Sequence, residues 1–152
     1  MPSAFIKEYD FVALDTDEAT EGRSITPTLR PCLTIDLVGP DGAELGLPIP
    51  AIVDSGADRS VFPVEMAEEV GISLAACRKE SFDSADGDGE EFVWDEPLTA
   101  RFDGQEVQVT ASFAATPVAL LGREDFFASY RVTIDQREFT FTLESYDEEL
   151  AS

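Results

Sequence analysis

The residues best suited to chemistry lie in one short stretch, where a carboxylate, a hydroxyl and a glycine follow an apolar run. The apolar run at 49–53 is followed by Asp54, Ser55, Gly56, Ala57 and Asp58. The β-branched residues of the run favour a buried strand, and Gly56 permits a sharp backbone reversal that a residue with a Cβ would resist. The pattern predicts a tight turn that holds Asp54 at the end of a buried strand, where a carboxylate can act as a general acid or base.

The rest of the composition narrows the chemistry to carboxylates. The 152 residues include no histidine, which excludes Ser-His-Asp and Cys-His nucleophile systems and disfavours transition-metal sites. The two cysteines, Cys32 and Cys77, lack metal-ligand spacing, and we interpret them as thiols rather than as a disulfide. No glycine-rich stretch has the spacing of a phosphate-binding loop. We therefore expect no metal and no cofactor.

Acidic residues dominate the charge of the chain. The 32 aspartates and glutamates against 10 lysines and arginines give a formal net charge of -22. Binding to nucleic acid or to an anionic membrane needs clusters of basic residues, so we expect neither partner. The surface resembles that of proteins from high-salt cytoplasms, and an acidic solubilising surface in an ordinary bacterium is the open alternative. The chain has no membrane-length apolar run and no signal-peptide pattern, so we expect a cytoplasmic location.

A second glycine motif supports the first. An apolar run at 118–121 leads into Gly122, Arg123 and Glu124, and a short helix is predicted over 124–130. Together, D-S-G-A-D and this Gly-Arg motif resemble the two markers of the retropepsin family of aspartic proteases, D-[ST]-G-A and Gly-Arg-[Asp/Asn]. Glu124 departs from the second marker but keeps an acceptor at the start of the helix. The resemblance covers roughly residues 30 to 143.

The resemblance implies a mostly β, closed barrel-like retropepsin (acid protease) fold with one or two short helices. It assigns catalysis to Asp54. It assigns support of the active-site turn to a further set of residues, namely Ser55, Gly56, Ala57, Asp58, Gly122 and Arg123. Within this set, Arg123 is expected to hold a partly buried Asp58 carboxylate in a bidentate ion pair.

Turn residues divide the remaining chain into short strands. The pattern predicts hairpins at 33–53, 98–113 and 131–143, and a short helix at 64–70. The second hairpin is expected to turn at Asp103-Gly104. We predict one retropepsin-like domain at 31–143, preceded by an N-terminal extension with an acidic loop at 1–30 and followed by an acidic tail at 144–152.

Residues 81–94 predict two β-like ends around an acidic tip that contains Gly87 and Gly89. The resemblance implies a flap that closes over the substrate, with the two glycines providing mobility. Trp94 is a candidate substrate contact, although such an aromatic more often lies in a core or an interface. A plain solvated hairpin and a weak cation site are the alternatives for the tip, although the spacing fails the EF-hand pattern. Core packing is the alternative for Trp94.

The number of D-S-G motifs in the chain determines how many subunits we expect in the active assembly. Aspartic proteolysis needs two carboxylates that share one proton, but the chain contains one D-S-G. We therefore expect a homodimer that hydrolyses a peptide or protein substrate with water activated by Asp54 and the partner's Asp54. The alternatives are a retropepsin-fold dimerisation or peptide-binding module without turnover, and a plain β-barrel ligand-binding domain. For Asp54 itself, the alternative is a turn residue that only caps local N–H groups.

Overall fold

The computed structural model describes residues 4–14, 28–84 and 87–146. Twelve strands and two short α-helices occupy this part of the chain. In chain order, the strands are β1 (Ile6–Asp10), β2 (Val12–Leu14), β3 (Thr28–Arg30), β4 (Cys32–Val38), β5 (Ile49–Val53), β6 (Ser60–Pro63), β7 (Arg78–Ser84), β8 (Gly87–Phe102), β9 (Gln105–Ala114), β10 (Ala119–Leu121), β11 (Tyr130–Asp135) and β12 (Thr140–Ser145). The helices are α1 (Met66–Glu69) and α2 (Phe126–Ser129), and a 3-10 turn spans Leu74–Ala76. The predicted mostly β fold with short helices is confirmed.

Six strands form a circuit of backbone pairings. β4 pairs with β5, β5 with β10, β10 with β6, β6 with β9, β9 with β8, and β8 returns to β4. Two of these pairings are parallel, β5 with β10 and β6 with β9. Because the pairings return to the first strand, the inward-facing side chains share one core.

The core follows from alternation along the strands. In β4, Leu33, Ile35 and Leu37 are buried, and in β9 the same spacing buries Val107 and Val109. Successive residues of a strand point to opposite faces, so apolar residues two apart fill one side of the sheet. Aromatic side chains complete the core, and those that are fully buried are Phe62, Phe113, Phe126 and Phe141.

The turn between β8 and β9 is the two-residue turn that the sequence predicts. Asp103 and Gly104 both have positive φ angles, 45° and 75°. This backbone matches the twist of a hairpin and is typical of Asp-Gly. The helices are shorter than predicted, since the Val64 N–H donates to the Ala114 carbonyl and Tyr130 already belongs to β11.

Part of the predicted N-terminal extension packs with the domain. β1 pairs with β12 over five residues, and Phe11 is buried in the core. The acidic loop predicted within 15–22 and residues 147–152 of the predicted tail lie outside the described residues. The division into extension, domain and tail stays a prediction. Within the described ranges, none of the helices has the length and hydrophobicity needed to span a membrane.

Candidate active site

Asp54 lies where a parallel strand pair ends. The last matched residues of β5 and β10 are Val53 and Leu121, and the Asp54 N–H then donates to the Leu121 carbonyl at 3.0 Å. The side chain of Asp54 is half-buried, and its Oδ1 accepts a hydrogen bond from the Gly56 N–H at 2.8 Å. The turn therefore orients the carboxylate through its own backbone.

Gly56 leaves space for the Asp54 carboxylate and does not have a positive φ angle. Among the described glycines, positive φ angles occur at Gly42, Gly71 and Gly104, and Gly56 is not one of them. A Cβ at Gly56 would lie 3.2 Å from Asp54 Oδ1, closer than an ordinary van der Waals contact. The sequence suggested that Gly56 permits a backbone reversal that a Cβ would resist. The structure gives a different reason, which is that the missing Cβ leaves room for the Asp54 carboxylate.

The backbone joins the turn to the Gly-Arg motif. The Arg123 N–H donates to the Ala57 carbonyl at 2.9 Å, and the Glu124 N–H donates to the Asp58 carbonyl at 2.8 Å. Since these bonds continue beyond the β5–β10 pair, the turn and the motif form one rigid unit.

The predicted ion pair between Asp58 and Arg123 is present, but its surroundings differ from the prediction. Arg123 Nη2 contacts Asp58 Oδ1 alone, and the two side chains are 57% and 69% exposed. The expectation of a partly buried, bidentate pair is wrong. An exposed pair with one contact stabilises a protein by about 0–1 kcal/mol. The backbone bonds, and not this pair, hold the two segments together.

Gly122 marks the closest approach between the two segments. A Cβ on this residue would lie 2.5 Å from the carbonyl carbon of Arg59 and 2.6 Å from its oxygen. Real Cβ atoms are not found at such distances from backbone. Only glycine therefore lets the β10 end pass this close to the loop that carries Asp54.

A partly buried polar cluster, which the sequence did not predict, lies beside the turn. Ser60 is fully buried, and its Oγ accepts from the Gly122 N–H at 3.1 Å and donates to Asp125 Oδ1 at 2.9 Å. Asp125 Oδ1 also accepts from the Phe126 N–H at 2.6 Å, and Oδ2 accepts from the Thr110 N–H at 2.8 Å. Burial raises the pKa of Asp125, while these hydrogen bonds act in the opposite direction. One carboxylate thus connects β6, β9 and the start of α2.

The acceptor at the start of the second helix was assigned to the wrong residue. Asp125, not Glu124, is the N-cap of α2. An aspartate directly before the apolar pair Phe126-Phe127 is a typical N-cap signal, and it could have identified this residue. No local pattern indicates that Ser60, 65 residues away, donates to the same carboxylate.

The hairpin predicted as a flap is present as β7 and β8. Gly87 and Gly89 belong to its ladder, where they pair with Ser84 and Phe82, so they lie in the paired stem. Residues 85 and 86 of the predicted tip lie outside the described residues. Trp94 is half-buried and packs against the core, and its Nε1 is buried with no hydrogen-bond partner in the described structure. The core-packing interpretation of Trp94 describes these contacts.

The groups that could bind a metal are dispersed. In the described ranges, no three Asp, Glu or Cys side chains are grouped for metal binding. Cys32 is buried and Cys77 is half-buried, and both are free thiols whose pKa is raised by burial. A cavity of about 580 Å³ opens beside α1, but none of its lining residues belongs to the Asp54 turn.

Comparison with solved structures identifies the fold. A retropepsin-like aspartic protease from Rickettsia conorii matches with a TM-score of 0.55 and 15% identity, over 94% of each chain. EIAV protease in complex with an inhibitor matches with a TM-score of 0.45 and 23% identity, over 62% of this chain and 83% of the other. Simian foamy virus (mac) protease matches with a TM-score of 0.42 and 19% identity, over 62% and 89%. No family model and no curated protein matches the chain. The first likeness shows a retropepsin-like fold.

The close approach at Gly122 predicts that adding a single methyl group at this position lowers the stability of the protein. Gly122→Ala should destabilise the protein by about 1–3 kcal/mol, because the added Cβ must push the Arg59 backbone away. Urea denaturation measures the loss, and hydrogen exchange at the amides of 54–58 should rise with it. Gly46→Ala is the matched control, since no atom lies within 4 Å of its added Cβ. Equal stability of the two variants would refute the steric argument.

The half-buried carboxylate of Asp125 predicts both a stability loss and its pH dependence. Asp125→Asn should cost about 0.5–1.5 kcal/mol, since the amide nitrogen replaces either the oxygen that accepts from Ser60 and Phe126 or the oxygen that accepts from the exposed Thr110 N–H. Because burial raises the folded-state pKa of Asp125, its stability contribution is complete below the unfolded pKa and is lost as pH rises through the folded pKa.

The loss of unfolding free energy in Asp125→Asn, relative to the wild type, should therefore be largest at low pH and should decrease toward neutral pH. Urea titrations that start below the unfolded pKa of an aspartate, about 3.9, and extend to neutral pH cover this window. Asp41→Asn, at an exposed turn, controls for the removal of a carboxylate. A deficit that grows with pH would contradict the assigned direction.

Proposed function

We propose that this chain is an aspartic endopeptidase that acts as a homodimer. The observation that carries the proposal is the placement of the D-S-G turn at the end of the parallel pair of β5 and β10 in a retropepsin-like fold. The chain supplies one such turn. A second carboxylate must then come from a second copy, which a two-fold axis places beside the first.

In the proposed mechanism, Asp54 and the partner's Asp54 share one proton, because two close carboxylates cannot both be charged at low cost. The ionised carboxylate removes a proton from a water molecule, whose oxygen attacks the peptide carbonyl carbon. The protonated carboxyl gives its proton to the carbonyl oxygen. Collapse of the tetrahedral intermediate returns a proton to the nitrogen and breaks the C–N bond.

The chain's own contacts support this assignment. Gly56 fixes one oxygen of the Asp54 carboxylate from within the turn, and the backbone bonds to Arg123 and Glu124 hold the turn against β10. Ser55 is exposed, and its hydroxyl would reach the opposite turn across the two-fold axis. Such preorganisation matters because the reacting groups must be held close to their productive geometry.

The proposed substrate is an extended peptide bound between the two subunits. Extended peptides bind mainly through backbone hydrogen bonds, so such a site accepts many sequences. The β7–β8 hairpin, with Gly87 and Gly89 in its paired stem, is the element that we assign to cover the peptide. Its stem is attached beside the turn, because Arg59 contacts Glu80 of β7.

Replacing the catalytic carboxylate should abolish cleavage without unfolding the protein. Asp54→Asn keeps an oxygen to accept from Gly56, so the turn should persist while proton transfer is lost. Cleavage of a peptide library at acidic to neutral pH, with pepstatin as inhibitor, measures the effect, and a loss of at least about 1,000-fold is expected. Asp135→Asn is the matched control, since Asp135 Oδ1 only caps the N–H groups of Arg137 and Glu138.

Mixing the two proteins tests whether the site is shared. If dimers form at random, an equal mixture of wild type and Asp54→Asn should retain about one quarter of the activity at the same total concentration. A site within one subunit would retain about half. If the folded wild type dimerises and binds peptides, detected by the fluorescence of Trp94, but cuts none, the binding-module alternative replaces the protease proposal.

The charge of each subunit predicts that association depends on salt. Two copies at -22 each repel one another, and raising the salt from about 0.1 M to 1 M shortens the Debye length from about 10 Å to about 3 Å. The dimer fraction in sedimentation, and cleavage with it, should therefore increase. A neutral osmolyte at equal osmolality is the control because it leaves the screening unchanged. Equal dimer fractions at both salt concentrations would contradict this prediction.

A further inference from the structure

Arg59, the residue directly after the D-S-G-A-D motif, contacts three neighbouring strands. Its Nη1 donates to Glu80 Oε2 on β7 at 3.1 Å and to Ser112 Oγ on β9 at 3.3 Å. It also lies 4.0 Å from Glu91 Oε2 on β8. The side chain is 28% exposed, and Ser112 is fully buried. One guanidinium therefore joins the active-site loop to the β7–β8 hairpin.

The two glutamates that Arg59 contacts form an unfavourable pair by themselves. Glu80 and Glu91 are directly opposite in the ladder of β7 and β8. Like charges in this arrangement destabilise an antiparallel pair. Arg59 lies close to both carboxylates, so its positive charge offsets the repulsion between them.

The two glutamates differ in how many partners they have. Glu80 also pairs with Arg78, and the hydrogen bond from Arg78, followed by the charge of Arg59, lowers the pKa of Glu80. Among the ion pairs of the described residues, Glu91 has Arg59 as its one partner. Loss of Arg59 would therefore leave Glu91 unpaired beside a negatively charged Glu80.

We propose that Arg59 is a positioning residue that fixes the base of the β7–β8 hairpin to the loop carrying Asp54. It acts by neutralising the opposed Glu80 and Glu91 carboxylates while it bonds to Ser112. The hairpin and Asp54 thereby keep a fixed relative position, which a peptide held between them requires. Only this consequence for peptide binding rests on the proposed function, because the attachment itself is a property of the folded chain.

Hydrogen exchange at the amides of β7 and β8 tests the attachment without any activity. Arg59→Gln should raise exchange there by about tenfold, as expected for loss of a coupled group. In a Glu80→Gln, Glu91→Gln background, the same change should have a smaller effect, because the opposed charges are gone and the bond to Ser112 is the main contact left to lose. Lys79→Gln is the matched control, since it removes an exposed Lys79–Glu90 pair of the same hairpin that does not touch the loop.

Three results would overturn the proposal. The first is equal exchange in Arg59→Gln and Lys79→Gln, and the second is an equal effect of Arg59→Gln in both backgrounds. The third is exchange in Arg59→Lys that is as fast as in Arg59→Gln. Arg59→Lys keeps the charge and should restore part of the protection, so equal exchange would show that the charge does not hold the hairpin. If Arg59→Gln fails to fold, the comparison is made with Arg59→Lys, whose loss of protection should be smaller in the Glu80→Gln, Glu91→Gln background than in the wild-type background.

Kinetics separates positioning from general destabilisation. Arg59→Gln should raise KM for a peptide by about tenfold and change kcat by less than about threefold, since the reacting carboxylates are untouched. A loss confined to kcat would contradict a positioning role. If the wild type cleaves no peptide, the protease proposal fails, and the exchange experiment still decides the role of Arg59.

Discussion

The parallel pairing of β5 with β10 is the interaction on which the candidate site depends. Three matched residue pairs, ending at Val53 and Leu121, place two distant segments side by side so that both strands end at the same level. The turn at Asp54 and the glycine at Gly122 then meet, and the hydrogen bonds that follow extend the alignment by several residues. Without this pairing, Asp54 would be an aspartate in an exposed turn. The circuit of strands matters for function mainly because it enforces this one contact.

The most recognisable contact near the site is not the strongest one. The Asp58–Arg123 pair is exposed and can contribute little, whereas the fully buried Ser60 and the half-buried Asp125 bond to each other and to backbone N–H groups. A buried polar network that is fully paired holds its elements in one arrangement, because any displacement leaves a polar group unsatisfied. The hydrogen bonds of Ser60 and Asp125 therefore fix the position of the Gly122 segment. The surface pair adds to an alignment that already exists.

The sequence predicted those features that depend on local chemistry. The two motifs pointed to the segments that the pairing of β5 with β10 brings together, alternation identified the main strands, and the Asp103-Gly104 dipeptide identified its turn. The sequence could not predict that Ser60 donates to Asp125 or that Arg59 contacts the β7–β8 hairpin. These contacts join residues far apart in the chain, and no periodicity encodes them. The exposure of Asp58 was missed for a similar reason, since burial at a turn depends on what the rest of the fold packs around it.

Charge connects the fold to the assembly that the proposed chemistry requires. In the described part of the chain, seven basic residues are already engaged in ion pairs with carboxylates, namely Lys7, Arg59, Arg78, Lys79, Arg101, Arg123 and Arg131. Their charge is neutralised locally, and the excess of acidic over basic residues leaves each chain with a formal net charge of -22. Two such chains repel over the Debye length, while the contacts that hold subunits together act only at short range. Under the proposed function, each chain supplies one carboxylate of a shared pair, so the ionic environment that governs association would also govern how many complete sites form.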